Sequence, residues 1–154
     1  MRYFTRQLYE SQQVDSASSF AESQRLWLNT SKAYQSKYCE IKPFLPDGMK
    51  AFSEVTLHDG RVKSGTEVGP NTVELLVDAT DNPWGPTGWY LVRFMGVKEV
   101  DNLPQIVGDE WLFEEVHLHA KAGFEYRVLL WRSEFRVVAD EVIFRPFQVG
   151  EKLG

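Results

Sequence analysis

Phe124-Glu125-Tyr126-Arg127-Val128-Leu129-Leu130-Trp131 alternates apolar and polar residues over most of its length. Successive side chains of an extended chain point to opposite faces. Phe124, Tyr126, Val128 and Leu130 therefore share one face, and Glu125 and Arg127 the other. That pattern belongs to an antiparallel strand with one side in a core and one side wetter. The flanking segments read the same way: Trp111 to Ala120 precedes it across Ala122-Gly123, and Phe135 to Phe144 follows across Arg132-Ser133-Glu134. Links this short favour sequential antiparallel neighbours.

Upstream, Asn71 to Ala79 and Trp89 to Met95 are strand-like, as are Ser53 to His58 and Arg61 to Ser64, which flank Asp59-Gly60. Both residues of that dipeptide tolerate positive φ, which predicts a type I′ hairpin. Two longer connections stand out: Asp81-Asn82-Pro83-Trp84-Gly85-Pro86-Thr87-Gly88, and Asp101 to Glu110. Before Gly48 the period changes. Phe20, Trp27, Tyr34, Tyr38 and Ile41 recur at helical spacing, predicting one long helix over Asp15 to Ile41 with an aromatic stripe packed on the core. Ser19-Phe20-Ala21-Glu22 matches a capping box, Pro43 and Pro46 stop the helix, and a shorter helix starts near Thr5. The expected fold is α+β, a meander of six to seven antiparallel strands in a curved sheet covered by the N-terminal helix. The 154 residues read as a single domain, 1–45 mainly helical and 50–147 mainly β.

The net charge of −5 is unevenly spread, +2 over residues 1–50 and −7 over the rest. Glu99, Asp101, Asp109, Glu110, Glu114 and Glu115 occur with no basic residue among them. Phosphate backbones are bound through Lys and Arg, so nucleic acid is not expected as a partner, and any macromolecular partner is expected to be basic. No apolar run approaches the ~20 residues that span a bilayer. The N-terminus has no signal-peptide pattern, and Cys39 is the only cysteine. These features give the expectation of a soluble cytoplasmic protein without membrane association.

The sharpest chemical signal is Glu115-Val116-His117-Leu118-His119, whose alternation would place Glu115, His117 and His119 together. With His58 and Asp59 these are residue types that hold zinc, iron or nickel. Trp111 and Phe113 have the same parity, so the histidines could equally fill the wetter end of a core face. His58-Asp59 has the make-up of a base held by a carboxylate, but Asp59-Gly60 is accounted for as a turn. Cys39 reads as a small packed side chain. Gly-x-Ser-x-Gly, Gly-x-Gly-x-x-Gly and P-loop motifs are absent from the sequence, and no cofactor is expected. Trp84, between Pro83 and Gly85-Pro86, has the character of an interface anchor.

Arg2-Tyr3-Phe4-Thr5-Arg6 with Leu8-Tyr9, then Leu57-His58-Asp59-Gly60-Arg61-Val62, Val92 to Val97, Trp111 to Val116 and Phe124 to Leu130 resemble, in that order, a bacterial family known only as a domain of unknown function. The family opens on Tyr-Phe-Thr before a helical segment. The resemblance implies the fold but no activity. It also implies that histidine is not fixed at positions 117 and 119, so a metal site there would be peculiar to this protein. A looser likeness links the helix-plus-sheet texture to small bacterial immunity proteins.

The leading expectation is a non-enzymatic protein-binding or interaction domain using Trp84, Asp109, Glu110, Glu114 and Glu115, with His58, His117 and His119 as further binding candidates. A metal-binding domain or metal-dependent enzyme centred on His117 and His119 is the alternative, and a small-ligand carrier with a cavity between sheet and helix is the third.

Overall fold

The structure, a computed structural model, describes residues 1–13, 17–148 and 150. It is α+β and the strands pair antiparallel. Among the described residues three α-helices come first: α1 (Arg6–Ser11), α2 (Ala17–Ile41) and α3 (Asp47–Phe52). Eight strands follow: β1 (Arg61–Gly69), β2 (Thr72–Asp78), β3 (Trp89–Met95), β4 (Glu99–Asp101), β5 (Trp111–His119), β6 (Ala122–Leu130), β7 (Glu134–Ala139) and β8 (Glu141–Pro146). They form two sheets of four, β1-β2-β3-β8 and β4-β7-β6-β5, rather than one continuous meander.

The division has local causes. Phe135 to Phe144 is not one strand: at Asp140 the chain leaves β6 and enters the ladder of β3, with Ala139 opposite Phe124 and Glu141 opposite Met95. Gly96, at φ 63°, turns the chain from β3 toward the short β4. The inner faces of both sheets meet in one core. Phe94 of β3 lies 5.9–6.4 Å, centroid to centroid, from the rings of Phe124, Tyr126 and Phe135. Val62, Val73, Leu75, Val77, Val92 and Val142 join it from the first sheet, and Trp111, Val116, Val128, Leu130, Val137 and Ala139 from the second. The four β6 residues read as inward-facing are all buried there.

Asp59-Gly60 is a turn, with Asp59 at φ 61°, but it does not join two strands. Residues 53–58 form no strand, and the turn docks on the second sheet instead: Asp59 N–H donates to the Trp111 carbonyl and Trp111 N–H to the Gly60 carbonyl, both at 2.8 Å. A Cβ on Gly60 would lie 2.6 Å from the Leu57 carbonyl oxygen, so only glycine fits.

The long helix is present, but its expected start at Asp15 lies outside the described residues. Ser19 is already inside α2, so its capping box does not form the cap. Only the C-terminal end of the stripe is fully packed: Tyr38 and Ile41 are buried, Trp27 and Tyr34 half-buried, and Phe20 is 47% exposed. Ahead of Trp27 the helix packs on residues 1–13 instead of on the sheet, with buried Ser23 accepting from Gln12. Cys39 is exposed rather than packed, because it lies off the stripe on the outer side of α2.

Candidate functional site: an aromatic cleft

The outer face of the second sheet is covered by residues 1–13 and α2, and the cover is fastened by Glu115. Its carboxylate is fully buried and accepts from the backbone N–H groups of Arg2, Tyr3 and Phe4 at 2.6–2.9 Å. His117 Nε2 donates to the same carboxylate at 3.0 Å. Burial alone would raise the pKa of Glu115, but four donors outweigh it and hold it below the usual carboxylate range. His117 lies under the rings of Tyr3 and Tyr34. His119 sits at the β5–β6 hairpin, where its Nδ1 accepts from Lys121 N–H. The third histidine, His58, stacks elsewhere, against Trp84 and Phe113. Among the described residues, no three His, Cys, Asp or Glu side chains come together in a way that could hold a metal ion.

A β-bulge between Trp111 and Phe113 determines which β5 side chains face which layer. The extra residue, Leu112, reverses the parity downstream. Trp111, Glu114 and Val116 therefore face the core between the sheets, while Phe113, Glu115 and His117 face the N-terminal layer. Strict alternation, which put Trp111 on the same face as the histidines, does not survive the bulge. Glu114 turns inward, where Trp111 Nε1 donates to its Oε2 at 2.8 Å. Burial pushes its pKa up to about 7, against the hydrogen bonds from Trp111 and Thr56. Asp109 is also buried, accepting from Arg132 N–H and the Ser133 hydroxyl. Burial would raise its pKa, but these donors lower it. Glu99 and Asp101 pair with Arg136, and Glu110 with Arg61 at 2.6 Å. The acidic run is thus distributed over several environments instead of forming one solvated face.

Beside the covered face lies a cleft of about 520 Å³. Its floor is Phe113, turned outward by the bulge, with the Trp27 ring 4.7 Å and the Tyr9 ring 6.2 Å away. One wall is Trp84 against His58, centroids 4.5 Å apart. The other is Trp131, edge-on to Tyr9 at 6.0 Å. Asp59 and Glu110 stand at the rim, and among the described residues neither Lys nor Arg lines the cleft. Burial, with Asp59 and Glu110 nearby, raises the pKa of the Tyr9 hydroxyl, and Arg6 opposes this.

Each wall is held in place. Thr5 caps α1 by accepting from Leu8 N–H, and the Arg6 guanidinium donates to the Leu130, Trp131 and Ser133 carbonyls, fixing α1 against the β6–β7 turn. The Trp84 loop is clamped by buried Asn82, which donates to the Thr56 carbonyl at 2.7 Å and accepts from Trp84 N–H at 3.1 Å. His58 Nδ1 lies 2.6 Å from the carbonyl of the bulged Leu112. A carbonyl only accepts, so Nδ1 carries the proton. Nε2 then faces Asp59 Oδ1 at 3.3 Å.

Trp84, His58 and Glu110, singled out in the sequence, are brought together here; Asp109, Glu114, Glu115, His117 and His119 lie outside the lining. Tyr9, Trp27, Phe113 and Trp131 complete the lining, each from a different segment. The helical stripe signals Trp27 in the sequence, and nothing local distinguishes the other three. The family of this chain is shown by a match over residues 28–137. The chain belongs to the family described as Protein of unknown function (DUF4085). The DUF4085 match takes in Trp27's neighbour Leu28, the His58 turn, the Trp84 loop, Phe113 and Trp131, but not the Tyr3-Phe4-Thr5 opening. No curated protein and no solved structure matched the chain. Among the described residues, no helix is long and apolar enough to cross a membrane.

Proposed function

We propose that this protein is a single, non-catalytic binding domain whose ligand is a small ring-bearing or branched organic molecule held in the aromatic cleft. The observation that carries this reading is the convergence of Tyr9, Trp27, Trp84, Phe113 and Trp131 on one concave surface. Trp84 and Trp131 remain 71% and 53% exposed. Large aromatic side chains left facing a cleft offer apolar area that a ligand can desolvate. The volume lies within the range of ordinary small-molecule sites, about 300–1,000 Å³. The lone cysteine suits a reducing compartment such as the cytoplasm.

A basic protein partner is the second reading, favoured by the exposure of a tryptophan on each wall of a cleft that also holds Glu110. It differs in size: a protruding side chain would enter the cleft while the rest of the partner stays outside. Tryptophan fluorescence of the wild type against a library of aromatic and branched small molecules tests the first reading. Saturable quenching that disappears in Trp84→Ala, with unfolding curves unchanged, is the expected result. Ligands that bind Trp84→Ala and wild type alike would remove the cleft as the site.

A further inference from the structure

We infer that the cleft selects a protonated organic amine, its apolar part among the tryptophans and its N–H⁺ directed at the His58–Asp59 end. The inference rests on the cleft being the ligand site and adds the charge of what fills it. Three features on different segments agree. First, the available ring faces of Trp84, Trp131 and Tyr9 carry the negative side of the aromatic quadrupole, which attracts cations and repels anions. Second, both charged groups in the lining, Asp59 and Glu110, are carboxylates. Arg61 pairs with Glu110 and Arg6 is engaged on main-chain carbonyls, so Asp59 is the lining carboxylate that faces the cleft without a Lys or Arg partner among the described residues. Low-dielectric walls of a cleft focus such a field on whatever enters.

Third, the wall at His58 ends on a carboxylate held in place. The Nδ1 proton is committed to the Leu112 carbonyl, which fixes the ring and sets Nε2 3.3 Å from Asp59 Oδ1. A carboxylate at the end of an aromatic wall calls for a charged donor, and an ammonium supplies several in one small head. An anion would meet two carboxylates. A neutral ligand would use the rings and leave the charge unanswered.

The test uses the full chain and three soluble probes of one size: 2-phenylethylammonium, 2-phenylethanol and 3-phenylpropionate, titrated by calorimetry and tryptophan fluorescence at neutral pH. The ammonium is expected to bind at least about tenfold more tightly than the alcohol, the carboxylate not measurably, and ammonium affinity is expected to fall with added salt. Asp59→Asn keeps a residue that tolerates the positive φ of this turn and should remove most of the preference while leaving alcohol binding in place. Glu110→Gln should lower it further. If alcohol and ammonium bind equally and both are lost in Trp84→Ala, the charge assignment is overturned and the cleft reading stands. If none of the three binds, or if binding ignores Trp84→Ala, both fall. Tighter binding of the carboxylate would also overturn the inference.

Discussion

Glu114 and Glu125 are carboxylates on neighbouring strands whose surroundings act in opposite directions. Glu114 points between the sheets, and its folded pKa of about 7 lies above the ordinary value of 4.5. Between pH 4.5 and about 7 the unfolded chain has released this proton and the folded chain has not, so stability falls as pH rises through that window. The difference amounts to about 3 kcal/mol. Glu125 points outward and accepts from Arg127 and Arg136, each at 2.7 Å, and from Arg2 at 3.1 Å. Burial would raise its pKa, but the arginines bring it down to about 2. Its contribution is present above pH 4.5 and is lost as pH falls toward 2. Stability should therefore pass through a maximum near pH 5, read from urea midpoints across pH 2.5–9. Glu114→Gln should flatten the alkaline side and leave the acid side unchanged. A steep alkaline loss persisting in Glu114→Gln would assign it to another group.

At the scale of elements, α2 has a buried C-terminal end and carries the exposed Phe20 near its start. Ile41→Ala should destabilise by about 2–5 kcal/mol, as for other large-to-small changes in a packed core. Phe20→Ala should stay within about 0.5 kcal/mol, as at most surface positions. Equal losses in denaturant titrations of the two variants would mean that the N-terminal half of the helix is covered in solution. The same contrast shows what the residues could and could not reveal. Alternation in Phe124 to Leu130 identified β6 and its buried face, because one strand's periodicity is a local property. Helical spacing identified the stripe of α2 but not where the surface beneath it ends. The bulge at Leu112, the three-residue β4 and the change of sheet at Asp140 leave no periodic trace, since each depends on a partner strand distant in sequence. The cleft was hidden for the same reason: Trp84 and His58 stand out singly, but Tyr9, Trp27, Phe113 and Trp131 join them only after both layers have packed.

For the molecule as a whole, the N-terminal cover and the cleft are one construction, since residues 2–4 are fastened to Glu115 and Tyr9, a few residues on, lines the cleft. Glu115→Ala leaves three backbone N–H groups and His117 without their acceptor, at an expected cost of about 3–5 kcal/mol. Hydrogen exchange should show Tyr3 and Phe4 amides, slow in the wild type, becoming fast in this variant. Ligand binding to the cleft should weaken with them. Protection retained at Tyr3 and Phe4 would show that the cover is held by its ring contacts alone.

The change of sheet at Asp140 bears on the order in which the chain assembles. β5, β6 and β7 are joined by short turns and pair with their neighbours in sequence. β8 must find β3, aligning Pro146 with Tyr90 across the whole of the second sheet. Closing so long a loop costs chain entropy before any contact rewards it. Because β8 follows β7 after a single residue, completion of the hairpin triplet carries β8 to its partner's edge. The second sheet thereby acts as the template on which the first is finished.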